Sequence, residues 1–131
     1  MNTTIFGYKI RTTNQNAQSM SDMGQLWEQF MANNPNTTQK IYVVYTHYEN
    51  QDQGFYDVYI GTQEHLAHFP DKIDVAIEKH TEFECEYHSP NDVVSLWKEI
   101  WANPNLQRQY SFDVEEYDFE NKTVKIYLSV K

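Results

Sequence analysis

The chain has 131 residues, 40% hydrophobic and 15% aromatic, which suits one folded domain that buries a core without disulfides or metal. Nineteen acidic against ten basic side chains leave a net charge of −9; this repels a phosphate backbone, no Lys/Arg run offsets it, and direct nucleic-acid binding is excluded. The single cysteine, Cys85, excludes an intrachain disulfide, the N-terminus lacks a basic and apolar leader, and no apolar run approaches the roughly 18 residues of a membrane span, so the reading is cytoplasmic with no membrane partner.

Residues 5–10 read as a first strand and 12–16 as a polar connection into a helix that Ser19 and Asp22 would cap. Met20, Met23, Leu26, Trp27, Phe30 and Met31 recur at steps of three and four and form one apolar stripe, which Asn33-Asn34-Pro35-Asn36 ends. Residues 41–48 and 55–60, rich in Tyr, Val and Ile, read as a hairpin about a turn at 50–54. Residues 61–72 read as a connection. In the strand expected at 81–88, Phe83, Cys85 and Tyr87 alternate with Glu82, Glu84, Glu86 and His88. A second helix opens at Ser89-Pro90-Asn91-Asp92, with proline in the first turn and Val93, Val94, Leu96, Trp97, Ile100 and Trp101 as its buried stripe. A final hairpin joins 110–117 to 123–130.

The two halves repeat. Ser19, Asp22, Leu26-Trp27 and Ala32-Asn33 match Ser89, Asp92, Leu96-Trp97 and Ala102-Asn103, each displaced by 70. Tyr48-Glu49 matches Tyr117-Asp118 at 69, and Val58-Tyr59-Ile60 matches Ile126-Tyr127-Leu128 at 68. The expected fold is α+β: a duplicated β-α-β-β module with pseudo-two-fold symmetry, antiparallel strands and two helices, one domain over 1–131 with repeats at about 1–62 and 73–131. Doubled units bind ligands where they meet.

In the last strand Val124, Ile126, Leu128 and Val130 share the face under the helices, which turns Tyr127 to the opposite face. With Phe112 and Val114 taken as inward in the partner strand, Asp113, Glu115 and Tyr117 fall beside Tyr127, and Tyr59 turns outward because Val58 and Ile60 are core. Should the two halves form sheets meeting in a cleft, tyrosines line it with a carboxylate among them, a setting that suits a flat cation. An ordinary solvated sheet face is the other reading of Glu115 and Tyr127. At a displacement of 69 the position corresponding to Glu115 is Thr46, so the acid has no acidic twin. His65-x-x-His68 has metal-ligand spacing without a third ligand and reads as surface, and Trp27, Trp97 and Trp101 read as core. Phosphate loops and Ser or Cys/His catalytic signatures are missing from the sequence, so no catalytic residue, cofactor or metal is assigned.

Phe6-Gly7-Tyr8 followed by Arg11-Thr12-Thr13-Asn14, Leu26-Trp27-Glu28-Gln29-Phe30, residues 41–49, Gly54-Phe55-Tyr56, Tyr59-Ile60-Gly61, Leu96-Trp97-Lys98-Glu99-Ile100-Trp101 and Asp113-Val114-Glu115-Glu116-Tyr117-Asp118 stand in order along nearly the whole chain. Together they resemble the GyrI-like, AraC-type effector-binding domains, especially the stand-alone versions that include integron-cassette effector-binding proteins. The resemblance implies a cleft between the modules for lipophilic, often cationic small molecules, with Glu115 meeting the ligand's charge, Tyr127 matching the last-strand tyrosine, aromatic walls from Tyr48, Tyr59 and Tyr117, and Trp27 and Trp97 as further candidates. Ser129 stands where the family usually has proline, and Lys79-His80-Thr81-Glu82-Phe83 lacks its Pro-Ala-Gly turn.

These readings converge on a free-standing small-molecule binding protein related to the ligand-binding domains of transcription regulators, whose output would need a separate regulator protein. Two alternatives stay open: a hydrolase of reactive xenobiotics that uses Glu115 and Tyr127, and a gyrase-inhibitor-like protein that binds through its acidic surface.

Overall fold

The computed structural model describes residues 1–35, 37–51 and 53–131. In chain order its elements are β1 (Asn2–Thr13), α1 (Gln18–Asn33) after a short 3-10 turn, β2 (Ile41–Thr46), β3 (Phe55–Thr62), β4 (Asp71–Ala76), β5 (His80–Glu86), α2 (Pro90–Trp101), β6 (Arg108–Asp118) and β7 (Thr123–Val130). The strands form one antiparallel seven-stranded sheet in the order β4-β1-β3-β2-β6-β7-β5. β1-α1-β2-β3 and β5-α2-β6-β7 are the two equivalent modules, joined side by side where β2 pairs with β6. The halves therefore share a single sheet; two sheets facing across a cleft are not what forms.

β4 starts in the last two residues of the expected connection at 61–72 and continues past it to Ala76. It is a short edge strand paired with β1 outside the repeat, its Ile73 and Val75 alternating with Lys72 and Asp74. The two edge strands, β4 and β5, are consecutive in the chain. A flat seven-stranded sheet is roughly 29 Å across, whereas residues 77–79 can bridge at most about 14 Å. The sheet must curl until its edges approach each other at this end. Ile77 O accepts the N-terminal amine at 2.7 Å and Lys79 O accepts Val130 N–H at 3.0 Å, fastening the link. The curl gives the sheet two apolar faces.

Leu26 and Phe30 of α1 and Val93, Leu96 and Ile100 of α2 bury one face with Val43, Val58, Ile60, Val124, Ile126 and Leu128. Ile5, Tyr42, Val44, Tyr59, Val75, Ile77 and Val114 bury the other. α1 lies chiefly over β1 and β3, and α2 over β5, so the central pair β2 and β6 runs between the helices. Close approach of β1 and β3 explains one sequence feature: Gly7 is paired with Gly61, and a Cβ on either would collide with a carbonyl oxygen of the other strand.

The matched Ser/Asp pairs of the repeat serve different purposes. Asp92 accepts the backbone N–H groups of Ser89 (3.1 Å) and His88 (2.8 Å) and so closes the start of α2. Ser19, by contrast, lies inside α1, whose preceding residue Ala17 is left-handed (φ 57°), and Asp22 accepts the hydroxyl of Thr12 at 2.8 Å, tying helix to strand. Both apolar stripes are also wider than the surfaces they cover. Met20 is 75% exposed and Trp101 53%, and Met31 and Val94 also reach solvent.

Candidate functional site

β6 places Glu115 directly opposite Val43 of β2, at the junction of the two modules and on the face that carries the helices. The residue is 2% exposed. Its Oε2 accepts Tyr45 OH at 2.8 Å and Trp97 Nε1–H at 2.7 Å, and its Oε1 accepts Tyr117 OH at 2.6 Å. Among the described residues no Lys, Arg or His lies within ion-pair distance of it. Burial pushes the Glu115 carboxyl above its usual range, and the three hydrogen bonds recover only part of that shift. Burial and the carboxylate together push Tyr45 and Tyr117 well above the ordinary phenol value, so both remain neutral donors.

An aromatic shell surrounds the acid. Trp27 of α1 meets Tyr117 edge-on at 4.9 Å, and Tyr87 and Phe119 pack on the same ring. On the other side Tyr45 meets Trp97 edge-on at 5.8 Å and Tyr56 at 6.1 Å. The result is a buried carboxyl group held by the polar edges of three rings, with further aromatic side chains packed behind them.

Of the seven residues singled out in sequence, the structure gathers Glu115, Tyr117, Trp97 and Trp27. Tyr48 stands nearby on the same face, its hydroxyl donating to Asp113 at 2.6 Å. Tyr59 and Tyr127 are on the opposite face. Tyr127 OH donates to Glu116 at 3.2 Å and Tyr59 packs with Tyr42 and Val44. The expected placement of Glu115 beside Tyr127 is therefore reversed, because Phe112 and Val114 point into the second apolar cluster, away from the helices. The acid and phenol required by the hydrolytic alternative are separated by the sheet.

The symmetry mate also changes. Thr46 donates to Ser111 O and follows Tyr45 onto the other face, so the equivalent of Glu115 is Tyr45, 70 residues earlier, the offset that also relates Trp27 to Trp97. Tyr45 was missed as a site residue, though its alternation with Ile41 and Val43 marks the face. His65 and His68 take separate partners, the Phe6 ring and Asn34 Oδ1.

Beyond Trp97 a surface cavity of about 550 Å³ opens, lined in part by Ile100, Trp101, Arg108 and Tyr110. Glu115 does not line it. No helix among the described residues is long and apolar enough to cross a membrane.

The family model described as integron-associated effector binding protein matches residues 2–130. An integron cassette protein from the mobile metagenome of Vibrio cholerae is 31% identical and superimposes with a TM-score of 0.84 over 99% of this chain and 91% of that chain. The structure of SAV2435 bound to tetraphenylphosphonium shares the fold at 18% identity, with a TM-score of 0.75 over 99% of this chain and 89% of that one. YobU of Bacillus subtilis (strain 168), named as a proposed transcriptional regulator, is 30% identical over 121 residues, 82% of this chain and 76% of its own length.

Proposed function

Because this chain belongs to the integron-associated effector-binding protein family, we propose that its effector is a lipophilic cation held between α1 and α2 with its charge on Glu115. One observation carries this reading: a buried carboxylate that has hydrogen bonds but no basic partner among the described residues. A carboxylate has about four lone-pair directions, and three are already used by Tyr45, Trp97 and Tyr117. What Glu115 lacks is positive charge rather than donors. The favoured ligand is therefore a cation without N–H groups, such as a quaternary ammonium or phosphonium with aryl substituents, which meets the aromatic walls and leaves the existing hydrogen bonds in place. SAV2435, which shares the fold, was solved with a cation of this kind. Since Glu115 is 2% exposed, entry requires aromatic side chains of the shell to move aside.

Tetraphenylphosphonium is the probe. It should raise the melting temperature of the wild type by mass action, with stabilisation of about 2.7 kcal/mol at a hundred times Kd, and Glu115→Gln should remove the effect. An equal shift in both proteins, or none in the wild type, overturns the reading.

A further inference from the structure

Glu115 has a neighbour that solves the same electrostatic problem with a cation from the chain itself. Asp113, two residues earlier in β6, is fully buried: its Oδ2 accepts Tyr48 OH (2.6 Å) and an Arg108 N–H (2.9 Å), and its Oδ1 accepts Ser129 N–H (3.1 Å) and Oγ–H (3.4 Å). The Arg108 side chain is 9% exposed, with its guanidinium 4.2 Å from the Tyr110 ring centre and 5.8 Å from that of Trp97. The backbone is shaped for this placement. The β6–β7 register breaks between Arg108 and Asp113, and Tyr110 sits at φ 59°, a left-handed conformation that costs a non-glycine residue energy.

Arg108 thus lines the cavity and stands over the indole whose N–H donates to Glu115 at 2.7 Å. We propose that Arg108 is a positioning residue for the Glu115 site: anchored by Asp113 and Tyr110, its guanidinium stands over the Trp97 ring and holds the indole N–H on the carboxylate. The broad guanidinium matters as much as its charge, because a lysine ammonium can pair with Asp113 but is a compact point charge that cannot span Asp113, Tyr110 and Trp97 together. The inference depends on the proposed function only where ligand is used to read it.

The groups facing Glu115 are Tyr45 from β2, Tyr117 from its own strand, Tyr87 after β5, the paired Arg108 and Asp113, and from the helices the uncharged Trp97 and Trp27. The tyrosines stay neutral where a carboxyl titrates. A loosened indole N–H therefore appears directly as a higher pH midpoint for cation binding, since Glu115 loses a bond that favours its charged form.

The test uses indole N–H exchange measured by NMR on ligand-free protein, with Trp27 as internal control. Arg108→Lys should speed exchange at Trp97 about tenfold and leave Trp27 unchanged. The pair Arg108→Gln with Asp113→Asn, which removes both buried charges together, should do the same and guards against a single variant that fails to fold. In tetraphenylphosphonium titrations Arg108→Lys should raise the pH midpoint, and in a Trp97→Phe background it should raise it no further. Unchanged exchange at Trp97 overturns the proposal, as does an equal midpoint shift with and without the indole, which would mean that Arg108 acts by charge alone. Failure of the wild type to bind the probe overturns the proposed function, while the exchange rates still decide the role of Arg108.

Discussion

Two buried carboxylates on opposite faces of the sheet show how partners decide what an acid is for. Asp57 of β3 lies 2.6 Å from His47 Nδ1, 3.0 Å from an Arg11 guanidinium nitrogen and 3.6 Å from Lys9 Nζ. Burial raises its pKa, but the hydrogen bonds from His47 and Arg11, with the charge of Lys9, more than reverse this and leave it below the usual range. Glu115 has three hydrogen-bonding partners, all of them neutral, to the two of Asp57, and its pKa still goes up. An acid ringed by bases is a structural tie. One ringed by aromatic donors retains an unmet demand for positive charge, and the proposed effector site rests on that difference.

The largest expected effect in stability comes from neutralising each acid. Asp57→Asn should cost about 1–2 kcal/mol at neutral pH, less than a fully buried pair because its basic partners stand at the surface. Glu115→Gln should instead stabilise the ligand-free protein by about 1 kcal/mol, since it removes a desolvated charge and keeps an acceptor. Denaturant titration of both variants settles the signs, and a destabilised Glu115→Gln would mean that the carboxylate is a structural tie after all.

The pH dependence follows with opposite signs. Glu115 has a raised folded pKa, so its favourable contribution is complete below the unfolded value near 4.5 and is lost as pH rises through the folded pKa. Asp57 has a lowered one, so its contribution is present above about 3.8 and is lost as pH falls through the folded value. Wild type minus Glu115→Gln should improve as neutral solution is acidified toward pH 4.5. Wild type minus Asp57→Asn should shrink only below about 3.8. Chemical denaturation across this range separates the two, and parallel difference curves would contradict the contrast.

Binding should follow the same partition of faces. Tyr45→Phe or Tyr117→Phe removes a donor from Glu115 and should weaken tetraphenylphosphonium binding about fivefold, in line with one net hydrogen bond. Tyr127→Phe and Tyr59→Phe alter only the far face and should change it less than about twofold. Calorimetric titration checks both, and a large loss at Tyr127 would restore the arrangement expected from sequence.

That arrangement failed for a physical reason. Helix periodicity and the doubled Leu-Trp segments located both helices, and alternation placed Tyr59 and Tyr127 on the correct face. Alternation identifies the core face only when the other face is polar, and here the curl buries both. Phe112 and Val114 looked like core and are core, but of the second cluster, which turns Glu115 toward the helices. Glu115 itself was legible as an acid without an acidic twin. Alternation with Ile41 and Val43 marks the face of Tyr45 but not its partner, which depends on cross-strand register, and the role of Arg108 depends on a break in pairing that no local pattern announces.

The smallest expected effect tests whether such changes can be kept apart. Gly24 lies in the middle of α1 on its exposed side, with nothing within 4 Å of where a Cβ would be. Alanine there restricts the unfolded chain and suits the helix, and should add about 0.5–1 kcal/mol. It touches neither carboxylate, so the whole stability curve should rise by one amount at every pH. Added to Glu115→Gln or Asp57→Asn, the gain should be additive to within about 0.5 kcal/mol. A pH-dependent gain would show that α1 is coupled to Glu115 through Trp27 and Tyr117, and the two acids could then no longer be treated as independent of the helix above them.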